Sequence, residues 1–151
     1  MERNEAFVRK FWPLAADVGL RYGVHPATIL AVGAQESLCG TSFSARTRRN
    51  YFGLGGPGRW LRFESDAACF EYFGQLLARR YEAAVLVSAD PVAFAQRMSR
   101  TNYVAESPAA KAQWGRNVVA YWHRFVRLAA AHGLRPAGPL LAQSSTTPNR
   151  A

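Results

Sequence analysis

The stretch Pro26-Ala-Thr-Ile-Leu-Ala-Val-Gly-Ala-Gln-Glu36-Ser37 decides how this chain folds. Ile29, Leu30, Ala31, Val32 and Ala34 leave it almost no polar side, and a helix apolar nearly all round belongs in the middle of a core. Pro26 suits a first helical position, so the pattern predicts a short buried helix over about 26–38. Glu36 falls near its C-terminal end, with Val32 and Gly33 one turn back and Leu38 and Cys39 ahead. A carboxyl in apolar surroundings holds its proton more tightly, and the negative end of the helix dipole pushes the same way. That is what a general acid working near neutral pH needs. On pattern alone the alternative stands beside it: Glu36 facing water at the polar edge of the helix.

Working outward, residues 2–22 read as an amphipathic helix, with Phe7, Phe11, Leu14, Ala15, Val18 and Tyr22 on one face. Pro13 lies inside that pattern and predicts a kink or break. Gly23-Val-His-Pro26 is a connector. Downstream, residues 40–62 change texture: Gly40, Gly53, Gly55, Gly56, Pro57 and Gly58 mark loops, with a short hairpin expected around 60–63. Ser65-Asp66 has the form of an N-cap and opens a helix over about 66–86. Asp90-Pro91 repeats the signature for a short helix through about 99. After a loop at 100–106, Ser107-Pro108 opens a last long helix with Trp114, Val118, Tyr121, Phe125 and Leu128 in one stripe, ended by Gly133. The fold class is all-α: a helical bundle with a glycine-rich loop region. Residues 1–133 form the expected domain, and the Pro, Gly, Ser and Thr content of 134–151 reads as a flexible tail. There is no internal repeat.

The bulk numbers agree. At 151 residues one compact domain is expected, burying about 70% of the surface its unfolded chain exposes. No run approaches the roughly 20 apolar residues a membrane span needs. The start, Met1-Glu-Arg-Asn-Glu5, lacks a signal-peptide pattern. The net charge is +9, from 19 Lys and Arg against 10 acids, and such a surface concentrates polyanions. The arginines are scattered apart from a loose cluster at Arg46, Arg48 and Arg49, and no nucleic-acid-binding motif accompanies them. Cys39 and Cys69 read as two buried thiols, a disulfide in an oxidising compartment being the alternative. No histidine lies at metal-ligand spacing from either, so no metal and no cofactor is expected.

Four motifs then occur in order. They are Ala31-Val-Gly-Ala-Gln-Glu36-Ser37-Leu-Cys-Gly40-Thr-Ser42, Arg49-Asn50-Tyr-Phe52-Gly53-Leu-Gly-Gly56, Phe63-Glu64-Ser65 and Tyr103-Val-Ala-Glu-Ser-Pro108. Together they resemble the glucosaminidase domains of glycoside hydrolase family 73, within the lysozyme-like superfamily. That family carries Ala-Gln-Ala-x-x-Glu-Ser-x-x-Gly-x-Ser, then Asn-Asn-x-Phe-Gly, an aromatic-acid-Ser and Gly-Tyr-Ala-Thr-Asp-Pro. The resemblance covers about residues 7–130. It implies a lysozyme-like helical bundle with a shortened loop or β-hairpin lobe. It further implies a peptidoglycan hydrolase cutting the β-1,4 bond between N-acetylglucosamine and N-acetylmuramic acid.

By that resemblance Glu36 takes the position of the catalytic acid and Tyr103 that of an active-site tyrosine near the cleaved bond. Asn50 and Phe52 shape the groove floor. Ser37, placed with them beside the substrate, and Ser42 orient and hydrogen-bond locally rather than do chemistry. His25, His123 and His132 stand in no triad context that would activate a serine. Two departures matter. The family's second acid usually lies on a hairpin lobe after Asn-Phe-Gly, whereas here residues 54–63 contain no acid. Glu64 is then the nearest candidate, with Asp66 behind it, although both also suit the flank of a helix cap. Glycosidases ordinarily use two carboxylates, and the recognised exception is attack by the substrate's own 2-acetamido group. Cys39 also replaces a tryptophan common in the family, which alters one wall of the sugar site unless Trp60 supplies a stacking face.

Rival readings are a lytic transglycosylase or muramidase, against which the Gly-Leu-Met-Gln run is absent, and a catalytically weakened basic wall-binding module. The expected partners are peptidoglycan glycan strands, with an acidic immunity protein or a secretion machine as further candidates. Nucleic acid and a membrane span are not expected. The substrate lies in the periplasm or cell wall. Delivery then falls to phage lysis, a specialised secretion system or a longer parent protein.

Overall fold

A computed structural model describes residues 1–136, and everything structural below concerns those residues. They form seven helices and no strand: α1 (Arg3–Tyr22), α2 (Pro26–Ser37), α3 (Phe43–Arg48), α4 (Asp66–Arg80), α5 (Glu82–Val85), α6 (Pro91–Ser99) and α7 (Pro108–Ala131). The fold is the all-α, lysozyme-like bundle that the sequence predicts.

Helix α2 is the axis of the domain. Every residue from Pro26 to Ala34 is buried, with α1 and α7 packed along it. It starts where His25 caps it, Nδ1 accepting the Ala27 N–H at 3.1 Å. It stops one residue after Glu36, where Leu38, Cys39 and Gly40 all take left-handed conformations. Two of these are not glycine, a strained arrangement of the kind held only when its surroundings fix it. Here the Ser37 hydroxyl fixes it, donating to the Gly33 carbonyl (2.6 Å) and accepting the Gly40 N–H (2.8 Å).

Helix α4 closes the core from the other side. Its Gly74 lets α1 approach so closely that a Cβ there would meet Val18 at 2.5 Å and Tyr22 at 2.6 Å. Its Phe73 ring stacks on Phe52 (centroids 4.0 Å apart), and Phe70 meets Phe52 edge-on at 5.0 Å. Phe52, Phe70 and Phe73 are wholly buried.

Several expectations need correction. The hairpin around 60–63 does not form. Gly55, Gly56 and Gly58 all have positive φ, and the segment makes only isolated backbone bonds, such as Leu61 N–H to the Leu54 carbonyl (3.0 Å) and Phe63 N–H to that of Arg48 (2.9 Å). Two such short arms without a third strand give no stable ladder. Pro13 does not break α1. Its ring and Arg9, whose carbonyl loses its partner, lie on the exposed side, where water can serve that carbonyl. The helix expected over 66–86 divides at Tyr81, which leaves helical geometry (φ −129°, ψ 39°). Cys39 and Cys69 are both buried and unpaired; burial pushes the Cys69 thiol up to about 12.

Of the expected tail, Leu134 donates its N–H to the Ala129 carbonyl (2.8 Å). The Trp12 indole N–H donates to the Arg135 carbonyl (2.9 Å). Residues 137–151 lie outside the described residues.

Candidate active site

Glu36 leaves the last turn of α2 and enters the floor of an open cleft of about 480 Å³. Phe52 to Pro57 and Trp60 line the cleft together with Tyr81, Asn102, Tyr103, Ala105 and Glu106. A more apolar groove of about 440 Å³ between α6 and α7 is lined by Val92, Ala95 and Val119 and by no carboxylate. The first, which holds the carboxylates, is the candidate site.

Three groups fix the Glu36 carboxyl. The Trp114 indole N–H, from α7, donates to Glu36 Oε2 at 2.8 Å. Gly53 passes under the other oxygen: a Cβ there would sit 2.7 Å from Oε1, and φ is +64°. Only glycine suits both conditions. Tyr103 holds the strip that carries Gly53, its hydroxyl donating to the Phe52 carbonyl at 2.7 Å. Its ring meets Trp114, Phe73 and Tyr81 at centroid distances of 6.3, 6.0 and 5.9 Å. Burial, and then the nearby Glu36 charge, push the Tyr103 hydroxyl far above its ordinary range, so it stays protonated and donates.

The Glu36 carboxyl is raised above its ordinary value. Burial is the main cause; the Trp114 hydrogen bond opposes it and the charge of Glu106 adds to it. Desolvation therefore outweighs the hydrogen bond to the charged form, and the site favours the protonated form more than water does.

The other expected residues fall in different places. Asn50 is buried beneath the loop. Its Nδ2 donates to the carbonyls of Leu54 (2.9 Å) and Leu61 (3.0 Å), while its Oδ1 accepts the Leu54 N–H (3.0 Å). Phe52 and Ser37 have no exposed surface; Phe52 lines the cleft, whereas Asn50 and Ser37 do not. Trp60, 39% exposed, stands at the rim with its face available. Glu64 is exposed and does not line the cleft; Arg49 donates to its backbone carbonyl at 3.3 Å. Asp66 is turned inward to the Tyr51 hydroxyl (2.7 Å). Cys39 is buried with its thiol on Asn4 Oδ1 (3.1 Å), away from the cleft lining.

Two residues of the site escape sequence reading. Trp114 belongs to the apolar stripe of α7, and nothing local marks its indole N–H as the partner of a carboxyl 78 positions earlier. Glu106 sits three residues after Tyr103 in the motif Tyr103-Val-Ala-Glu-Ser-Pro108, where nothing local shows that its carboxyl reaches the cleft.

Comparison with known proteins gives the family. The family model for glucosaminidase, described as mannosyl-glycoprotein endo-β-N-acetylglucosaminidase, matches residues 12–127. No curated protein and no solved structure matches the chain. The matched span contains Glu36, Gly53, Tyr103 and Trp114 and covers well over half the sequence. The chain therefore belongs to the glucosaminidase family, glycoside hydrolase family 73, and with it to the peptidoglycan-degrading glycosidases.

Proposed function

We propose that the protein is an endo-β-N-acetylglucosaminidase that cuts peptidoglycan between N-acetylglucosamine and N-acetylmuramic acid, with Glu36 as the general acid. One observation carries this reading: a desolvated carboxyl, raised above its ordinary value, at the floor of an open cleft. With Oε2 held by the Trp114 N–H, the proton is carried on Oε1. Glu36 gives that proton to the glycosidic oxygen as the C1–O bond breaks, so the leaving sugar departs as an alcohol rather than an alkoxide. Tyr103 borders the reacting sugar, and Trp60 offers it a stacking face at the rim. An apolar sugar face on an indole, with hydroxyls left to water and backbone, suits a cleft this open.

The family assignment and the openness of the cleft fit a long polymer better than a small ligand. The polymer lies in the periplasm or cell wall, and cutting it there makes the protein bacteriolytic. The test is digestion of purified peptidoglycan with mass spectrometry of the new ends. Reducing N-acetylglucosamine ends are expected. Reducing muramic acid or 1,6-anhydro ends would instead assign a muramidase or a lytic transglycosylase.

A further inference from the structure

The chain has ten acids, at positions 2, 5, 17, 36, 64, 66, 71, 82, 90 and 106, and all lie among the described residues. Five are engaged elsewhere: Glu2 with Arg124, Glu5 with His132, Asp17 and Glu71 with Arg21, and Asp66 with Tyr51. Asp90 caps α6. Glu64 and Glu82 are exposed and off the cleft. Two acids line it, Glu36 and Glu106.

Those two sit in opposite settings. Glu36 is desolvated at the end of α2 beside Trp114 of α7, whereas Glu106 lines the same cleft but is exposed to water. Glu106 makes no hydrogen bond or ion pair among the described residues, so its carboxyl is not committed to the fold. Its backbone is nonetheless tethered. Tyr81 donates to Asn102 Oδ1 (3.2 Å) and the Tyr103 N–H to Thr101 Oγ1 (3.2 Å), while Ser107 caps α7 immediately after it. Its charge is near enough to act on Glu36. A dry acid and a wet one lining the same cleft form a pair in which acid and base work can be divided between two carboxyls.

We propose that Glu106 is the second carboxylate of the reaction, acting as the general base; this rests on the glucosaminidase reading above. Glu106 takes a proton from a water molecule on the face of the sugar opposite Glu36. The water oxygen bonds to C1, the C1–O bond to the next sugar breaks, and the Glu36 proton goes to the departing oxygen. Each carboxyl ends in the other's starting protonation state, and exchange with solvent resets both. The product anomer is inverted.

The experiment compares the parent, Glu106→Gln, Glu106→Ala and Glu64→Gln on soluble, uncross-linked peptidoglycan glycan chains. Fresh reducing ends are read by proton NMR and turnover by end counting. The parent is expected to release the α anomer first. Glu106→Gln should lose about 10²–10⁴-fold in kcat, with KM within a few-fold and an unchanged circular dichroism spectrum. Glu64→Gln should match the parent. Azide, a nucleophile that needs no base, should restore turnover to Glu106→Ala and give an α-glycosyl azide. A Glu106→Gln variant within threefold of the parent would overturn the proposal, as would a β anomer from the parent, which would hand the role to the 2-acetamido group or a covalent intermediate. A parent that makes no new ends would strike down the glucosaminidase reading itself, whereas a cleaving parent with a normal Glu106→Gln loses only this assignment.

Discussion

At the floor of the cleft, Glu36 is held by an indole from α7, a glycine backbone beneath it and a tyrosine that pins that backbone. At the rim, Trp60 and Glu106 stand on loops and are open to water. The floor is fixed by contacts far apart in sequence that leave each group one position. The rim is held only through its backbone. A catalytic acid must be placed within a fraction of an ångström, while a polymer-binding rim must let a long substrate in and out. On the proposed reading the contrast divides the work: the floor fixes the acid, while the rim supplies the water-facing base Glu106 and, at Trp60, a contact for the polymer.

Among changes that leave both carboxyls in place, the largest effect should come from disturbing the floor with a single methyl. Gly53→Ala puts a Cβ against Glu36 Oε1 and forces alanine to a φ of +64°. It should lower turnover by about 10²-fold, the order expected for misplacing a reacting group by an ångström. It should also cost about 1–3 kcal/mol in chemical denaturation. Full activity in this variant would mean that the Glu36 position is not fixed as described.

Next comes Trp114→Phe, which keeps an aromatic ring and removes the N–H. That hydrogen bond lowers the Glu36 value against burial, so its loss should raise it further. Activity needs protonated Glu36 and falls as pH rises through its value. The alkaline limb of the pH–rate profile should therefore move to higher pH, with kcat down about tenfold, roughly the 1.4 kcal/mol of one charge-assisted hydrogen bond. A limb that moves down would contradict the assignment. Smallest is the rim: Trp60→Ala should raise KM a few-fold, in line with the roughly 1 kcal/mol of one aromatic contact, and leave kcat and the melting temperature nearly unchanged.

The same contrast explains what the sequence made legible. Helices α2, α6 and α7 could be read almost to the residue, because Pro26, Asp90-Pro91 and Ser107-Pro108 are local start signals. Helix α3 leaves no such signal: it is six residues long and carries Phe43 and Ala45 beside four polar or basic residues, without an apolar stripe. The acid was legible because its motif is contiguous. Trp114 was not, since an indole on a helix stripe looks the same whether it fills a core or donates to a carboxyl. Glu64 stood out through proximity in sequence to the glycine-rich loop, but proximity in space belongs to Glu106, brought round by the α6–α7 connection.

The central claim concerns Glu36, and the most direct measurement is turnover of purified peptidoglycan by Glu36→Gln beside the parent, with thermal unfolding followed across pH. Glutamine keeps the shape and the Trp114 contact but carries no transferable proton, so cleavage should fall by at least about 10²–10⁴-fold. The folded-state value of Glu36 is raised above the ordinary 4.5. Its contribution to stability is thus fully present below that pH and is lost as pH rises through the folded value. The variant should therefore melt like the parent in acid and gain on it towards neutral and alkaline pH. Cleavage at the parent's rate by a folded Glu36→Gln protein would contradict the account.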